Sequence, residues 1–360
     1  MSRAIGYAAQ GADTPMTAFH FERRDLRPDD VAIDILYCGV CHSDLHQVRN
    51  DWKNTLYPSL PGHEIVGRVT AVGSDVGRFK PGQMVAVGCL VDSCMKCEPC
   101  CGGQEQYCSH FPTMTYNSKD RRDGQPTLGG YSDHIVVRDH FVLSLPDGLD
   151  PKRAAPLLCA GITTWAPLRR RKVGPGSRVA IAGLGGLGHM GVKLAAGLGA
   201  DVTVLTTSPS KEADALALGA HRVLITKDKA AMKQATASFD LVLDTIPVAH
   251  DVKPYLHLLK VHGVHAIVGA IDVLPPVNSM LLVAWQRSLE GSMIGGIAET
   301  QELLDFCAEK NILPETETID MQDINEAFER MLKSDVKYRF VIDMASLKRE
   351  FPDDKSRISA

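Results

Sequence analysis

A chain of 360 residues has room for two domains, each with its own core, and its 44% hydrophobic and 23% charged residues are those of an ordinary globular protein. A formal net charge of -4 offers nucleic acid no general attraction. The longest uncharged apolar-rich stretch, Ala154 to Leu168, contains two prolines and falls short of the roughly 18 residues that would suggest a membrane span.

In chain order, short apolar runs come first, punctuated by Gly and Pro: Val31 to Leu36, Ile65 to Val72, Met84 to Val87 and His134 to Val137. They read as strands of a barrel-like or sandwich β domain. Inside this half Cys94, Cys97, Cys100 and Cys108 are spaced as C-x2-C-x2-C-x7-C, which can wrap four thiolates tetrahedrally round one zinc ion. Cys101 adjoins Cys100 and could stand in as third ligand, although the regular two-residue gaps favour Cys100. A pair of disulfides is the alternative. With ten cysteines and no signal-peptide pattern at the N-terminus, a cytoplasmic chain with reduced thiols is expected, which favours metal. Cys41, His63 and Cys159 stand apart, one short of a closed set and able to leave a coordination position open. Cys38, Cys89 and Cys307 read as small buried hydrophobes.

From about Pro175 the rhythm changes. Strand-like Val179 to Ala182, Val202 to Thr206, Val223 to Ile225, Leu241 to Leu243 and His265 to Val268 alternate with helical patterns such as Lys211 to Leu218 and Val252 to Leu259. This alternation predicts a doubly wound parallel sheet covered by helices, so the fold class is α/β. The basic run Arg169 to Lys172 reads as a solvated face near a turn. Helical Glu299 to Glu309 and Ile324 to Leu332, then strand-like Tyr338 to Ile342, return to the first domain, and Ser346 to Ala360 reads as a loosely held end. The expected domains are 1–155 with 291–360, and 156–290.

The run Arg178 to Ala182 leads directly into Gly183-Leu184-Gly185-Gly186-Leu187-Gly188, followed by a helical pattern. Strand, glycine turn and helix together let the backbone approach a pyrophosphate at the helix N-terminus. A site selective for NAD places Asp or Glu about 20 residues on; here the chain has Thr206, Thr207 and Ser208, then Lys211. Hydroxyls and a cation suit a 2′-phosphate, so NADP(H) is expected, against a reading of Lys211 as a solvated side chain.

Together the segments Tyr37 to His46, Gly62-His63-Glu64 and Leu158 to Gly161, the four-cysteine lobe, the glycine turn and Asp335 to Asp343 resemble the zinc-dependent medium-chain alcohol dehydrogenases over nearly the whole chain. Within them the chain is most similar to the cinnamyl alcohol dehydrogenase group and its bacterial NADP-dependent aldehyde reductase relatives. The resemblance implies a GroES-like catalytic domain carrying two zinc ions, a Rossmann domain, and an active site in the cleft between them. It implies that Cys41, His63 and Cys159 hold the catalytic zinc, with Glu64 as an alternative fourth ligand, and that Cys94, Cys97, Cys100 and Cys108 hold the structural ion. It implies catalytic roles for Ser43 as proton relay, His46 as the relay's far end and Asp44 as support near the metal. Contacts to the cofactor are implied for Ser43, Thr163, Gly183 to Gly188, Thr206 to Lys211, Thr245, Gly269, Ser292, Met293 and Ile294. Plant enzymes of this group carry Trp where this chain has Met114, which weakens a lignin-precursor assignment and fits a broad range of aromatic and aliphatic aldehydes. Trp52 and Trp285 could line a pocket but are more simply core. A small aldehyde or alcohol substrate, no nucleic-acid or membrane partner, and a homodimer complete the expectation. The rival readings are a zinc-free quinone or enone reductase on the same plan, and a non-enzymatic zinc- and nucleotide-binding protein.

Overall fold

The computed structural model describes residues 1–269 and 273–352. The chain divides into two compact units, Met1–Cys159 joined by the segment from Gly296 onward, and Ala160–Gly295. The divisions fall after Cys159 and Gly295 rather than after 155 and 290, so Cys159 belongs to the first unit. The reason is local. Cys159 follows the turn Ala155–Leu158, whose four residues are buried, and its sulfur lies against Cys41.

The first unit is built on a seven-stranded sheet. Its order is Thr316–Ile319, Arg339–Asp343, Asp30–Val40, Ile65–Val72, Met84–Val87 and Leu143–Ser144, with His134–Arg138 also paired to Asp30–Val40. Strand Asp30–Val40 buries Val31, Ile33 and Ile35 and turns Asp34 away from the core, the period-two signature of a strand with one covered face. It is paired with His134–Arg138 along its first half and with Arg339–Asp343 along its second. All these pairings are antiparallel except that of Thr316–Ile319 with Arg339–Asp343. An N-terminal hairpin, Ser2–Ala8 with Thr17–Arg23, was not anticipated from the sequence. A second small pair, Leu90–Asp92 with Thr113–Met114, forms the base of the cysteine lobe.

The tail is more ordered than its polarity suggests. Ala345–Glu350 is a helix that buries Ser346 and Leu347, and Glu350 accepts the Tyr7 hydroxyl at 2.8 Å, which corrects the expectation of a loose end from Ser346; residues 353–360 lie outside the described ones.

The second unit is a six-stranded, all-parallel sheet in the order Arg222–Ile225, Asp201–Thr206, Arg178–Ala182, Phe239–Asp244, Leu259–Ile267, Ser288–Gly291. In chain order this is 3-2-1-4-5-6, the Rossmann arrangement, whose topological switch point lies between Arg178–Ala182 and Phe239–Asp244. Val179 to Ala182 are all fully buried, as covering helices on both faces require. Strand Leu259–Ile267 starts six residues before the expected His265, because His262, exposed and with positive φ, breaks the apolar alternation in its middle. Trp52 and Trp285 are 44% and 40% exposed, so neither is core.

Candidate active site and metal centres

In the first unit the ligand atoms of Cys94, Cys97, Cys100 and Cys108 all lie within 4.8 Å of one another. The sulfurs of Cys97 and Cys100 are 3.4 Å apart, those of Cys94 and Cys100 3.9 Å, and those of Cys97 and Cys108 4.0 Å. Four thiolates about 2.3 Å from one zinc ion are separated by about 3.8 Å, whereas a disulfide needs about 2.0 Å, so the set fits a tetrahedral ion and not two bridges. Cys101 is exposed and outside the set. Local structure explains the convergence. Cys97 precedes the short helix Glu98–Cys101, with Pro99 in its first turn, and backbone amides turn inward: Cys97 N donates to Cys94 Sγ at 3.3 Å and Ser109 N to Cys97 Sγ at 3.4 Å. Backbone donors hold the Cys94 thiol down to about 5, while burial pushes Cys100 up to about 12. The lobe is fastened at its far side by Glu105, a buried carboxylate that accepts the Ile297 amide at 3.1 Å and pairs with His140 Nε2 at 2.8 Å. Helix Ile297–Lys310 therefore starts against the lobe.

The second cluster is fully buried: Cys41, His63, Glu64 and Cys159 also place their ligand atoms within 4.8 Å of one another. Cys41 and Cys159 sulfurs are 3.9 Å apart, again the edge of a tetrahedron around zinc. Cys41 caps helix His42–Val48, and Asp44 answers it, accepting the Cys41 amide at 2.9 Å in a reciprocal cap. Asp44 is wholly buried and takes three further donors: Gly62 N at 3.2 Å, His63 Nδ1 at 3.0 Å and the Tyr131 hydroxyl at 3.0 Å. With Nδ1 committed to Asp44, His63 presents Nε2 as its ligand atom. Burial works against a charged His63, but Asp44, Cys89 and Cys41 together outweigh it and the ring is held well above the usual imidazole range. Hydrogen bonding to Cys159 holds the Cys41 thiol well below the usual range, with help from Arg339 and His63.

Glu64 has no exposed surface and neither of its carboxylate oxygens has a hydrogen-bond partner. Its nearest charge is Arg339, with Nη2 at 3.2 Å from Oε1 in an ion pair whose angles do not make a hydrogen bond. Burial raises the Glu64 carboxyl to about 7 despite that cation. A carboxylate held buried without donors has lone pairs available for a cation.

On the same helix Ser43 and His46 are three residues apart and share a face. His46 Nδ1 lies 2.8 Å from Asp51 Oδ2, and its ring stacks at a tilt near Trp52, 5.8 Å between centroids.

In the second unit the cofactor candidates gather at the carboxyl ends of the parallel strands. Gly183 to Gly188 turn from strand Arg178–Ala182 into helix Gly188–Gly197. A Cβ on Gly188 would lie 2.2 Å from the Gly183 carbonyl oxygen, so only glycine allows this approach, whereas nothing stands within 4 Å of the corresponding point on Gly185, leaving room for a ligand. Thr206 ends the next strand and is buried; Thr207 is exposed; Ser208 bonds to Ser210, Oγ to Oγ, at 2.8 Å. Lys211 reaches back to donate to the Leu184 carbonyl at 3.0 Å, so the hydroxyl-rich turn and its cation lie beside the glycine turn. Thr245 donates to the Ala182 carbonyl at 2.7 Å. Gly269 and Ser292 follow the next two strands, and Arg170 donates to Ser292 Oγ at 3.3 Å; Met293 is 45% exposed and Ile294 has positive φ. Thr163 is buried in helix Ala160–Arg170, and Ser43 lies in the other unit.

Two family models match the chain, the alcohol dehydrogenase GroES-like domain over residues 27–147 and the zinc-binding dehydrogenase over residues 186–309. NADP-dependent alcohol dehydrogenase C of Mycobacterium bovis is 52% identical over 347 residues, 96% of this chain and 100% of that protein. The chain belongs to the zinc-binding alcohol dehydrogenase family. Aldehyde reductase YahK of Escherichia coli is 50% identical, covering 96% of this chain and 99% of its own. The solved cinnamyl alcohol dehydrogenase of Sorghum bicolor superposes with a TM-score of 0.92 at 42% identity, covering 95% of this chain and 98% of its own. The expected fold class, the expected family and its alcohol dehydrogenase chemistry therefore hold, and the reading as a non-enzymatic binding protein falls.

Within this dehydrogenase fold, three residues that the sequence had not singled out stand next to the candidates. Arg339 is a lone cation opening an apolar final strand, Asp51 is five residues beyond His46, and Tyr131 follows two glycines. Only the first carried a signal, a charge where the strand pattern calls for none.

Proposed function

We propose that this chain is an NADP(H)-dependent zinc alcohol dehydrogenase that reduces aldehydes to primary alcohols and runs the reverse reaction, with a broad aromatic and aliphatic range. The observation that carries the proposal is the pairing of a closed four-thiolate set with a buried set of Cys41, His63 and Cys159 beside Glu64. A zinc-free reductase has no use for either. The chemistry these groups supply when bound is Lewis-acid polarisation of a carbonyl oxygen, from zinc, and hydride, from the nicotinamide.

The chain's own residues do the rest. Cys41, His63 and Cys159 hold the catalytic ion, and Asp44 fixes the His63 tautomer and ring. Glu64 would be an alternative fourth ligand when substrate is absent, and in the structure it pairs with Arg339 at 3.2 Å. Ser43 passes a proton to the product oxygen. His46 exchanges that proton with solvent, held in orientation by Asp51. Thr206, Thr207, Ser208 and Lys211, with no carboxylate among them, receive the 2′-phosphate. A homodimer is supported by the open sheet edge at Ser288–Gly291 and by exposed Met280, Val283 and Trp285 just before it. A cytoplasmic location is supported by ten cysteines that form no disulfide. No described helix is long and apolar enough to cross a membrane.

An aldehyde panel assayed with NADPH and with NADH, alongside metal analysis of wild type and Cys159→Ala, tests the reading. About two zinc ions per chain are expected, one of them lost with the activity in the variant. A clear NADH preference would overturn the cofactor assignment, and metal content unaffected by the change would overturn the catalytic site. Light scattering of the purified chain decides the dimer.

A further inference from the structure

Asp244 ends strand Phe239–Asp244 with its carboxylate fully buried, and nothing above gives it a role. Its Oδ2 faces two imidazoles, His250 Nε2 at 2.9 Å and His265 Nε2 at 3.0 Å, while Oδ1 accepts the Ile246 amide at 3.1 Å. Its backbone carbonyl accepts the amides of Val268 at 2.9 Å and Gly269 at 3.2 Å. Donors from two stretches of chain, 246–250 and 265–269, thus converge on one residue.

The two histidines differ. His250 Nδ1 lies 2.8 Å from the Val248 carbonyl oxygen, so both ring nitrogens face oxygen atoms. The contact between His250 and Asp244 ties the segment after the strand back onto the strand's end. His265 has no exposed surface; its Nε2 faces Asp244 and its Nδ1 is buried without a hydrogen-bond partner. Tyr255 packs against both rings, at 5.6 Å from His250 and 6.0 Å from His265, and it belongs to an apolar cluster with Val242, Val252 and Leu256. Excluding water there strengthens each polar contact and raises the cost of losing one.

The folded segment is wedged between the glycine positions at the sheet's carboxyl end. A Cβ on Gly188 would lie 3.2 Å from Thr245 Oγ1, and one on Gly269 only 2.3 Å from the Ile246 carbonyl oxygen. A shift of Thr245 or Ile246 would therefore be felt at both the glycine turn and Gly269.

We infer that Asp244, His250 and His265 are positioning residues for dinucleotide binding, a buried hydrogen-bonded latch that sets Thr245, Ile246 and Gly269 against the Gly183 to Gly188 turn. The inference rests on the cofactor site proposed above. Neither histidine touches the dinucleotide in this reading; each acts through Asp244.

The test uses the zinc-loaded full chain and its Asp244→Asn, His250→Ala and His250→Lys variants. NADPH affinity, measured by quenching of protein fluorescence, is expected to fall about tenfold in Asp244→Asn and His250→Ala, the size of effect a lost charge-assisted buried hydrogen bond gives. Turnover at saturating NADPH and zinc content stay near wild type. His250→Lys, which keeps a hydrogen-bond donor within reach of Asp244, recovers most of the affinity. In cofactor-free protein, hydrogen exchange at the Ile246, Val268 and Gly269 amides speeds up in the first two variants and slows again in the third. Unchanged affinity and exchange in His250→Ala would overturn the inference, as would a loss of turnover with affinity intact. If wild type binds no NADPH, the cofactor reading fails and exchange in the cofactor-free chains still decides the latch. Should Asp244→Asn fail to fold, the two His250 variants decide it, since that side chain is at the rim, 16% exposed.

Discussion

Asp44 and His63 are joined by a 3.0 Å contact that commits one imidazole nitrogen to a buried carboxylate, and that same carboxylate accepts the Cys41 amide. One anion thereby orients two of the proposed ligands. Asp44→Asn is expected to weaken zinc binding at this site by about 10- to 100-fold and to leave the four-cysteine ion in place. Chelator competition followed on both ions checks it.

Arg339 and Glu64 are buried together, 3.2 Å apart. Arg339→Met strands Glu64 without a cation, and the expected cost is about 3–5 kcal/mol of stability. The double change Arg339→Met with Glu64→Gln recovers a large part of it. Urea denaturation of both singles and the double measures the coupling directly.

Cys100 and Cys101 are neighbours in sequence and opposites in setting, one buried in the sulfur cluster and one exposed. Cys100→Ser should lose one zinc per chain and lower the melting temperature. Cys101→Ser should change neither. Elemental analysis of the two purified variants separates them.

Lys211 stands beside the glycine turn, bonded to the Leu184 carbonyl. Lys211→Ala is expected to raise KM for NADPH about tenfold, as loss of one charged phosphate contact would, with little effect on NADH. Equal effects on the two cofactors would assign Lys211 to loop structure alone.

Asp29 is held down to about 2 from its usual 3.8, chiefly by its bond to Arg122, with Arg138 Nε at 3.1 Å. A carboxyl whose folded value is depressed stabilises the fold above about pH 4, and that contribution fades as pH falls toward about 2. The group is partly exposed, so Asp29→Asn should cost roughly 1 kcal/mol at neutral pH, less than the shift alone implies. Urea titrations at pH 7, 5, 4 and 3 should show the gap between wild type and variant narrowing only at the last step or two.

The cysteine spacing and the glycine turn were legible because each is a local pattern with a single geometric purpose, and the alternation after Pro175 exposed the parallel sheet. The partners of those residues were not. Tyr131 and Asp44 meet across 87 positions and Arg339 reaches Glu64 across a whole inserted unit, and such pairings are written in topology rather than in local composition. Polarity misled at the tail, where a helix of mixed residues is held by two buried side chains and a tyrosine. Size is no guide to burial at Trp52 and Trp285, both large and both exposed.

Strand Asp30–Val40 leaves its second half unpaired on one side until Arg339–Asp343 arrives. During synthesis the inserted sheet, complete by Gly291, is available to fold first, while the earlier strands wait with an open edge. The strand that closes that edge also carries Arg339, the counter-charge to Glu64. On a ribosome emerging residue by residue, the proposed catalytic pocket is then the last part to be sealed. A nascent chain halted before residue 339 should bind dinucleotide yet hold that pocket's carboxylate uncompensated.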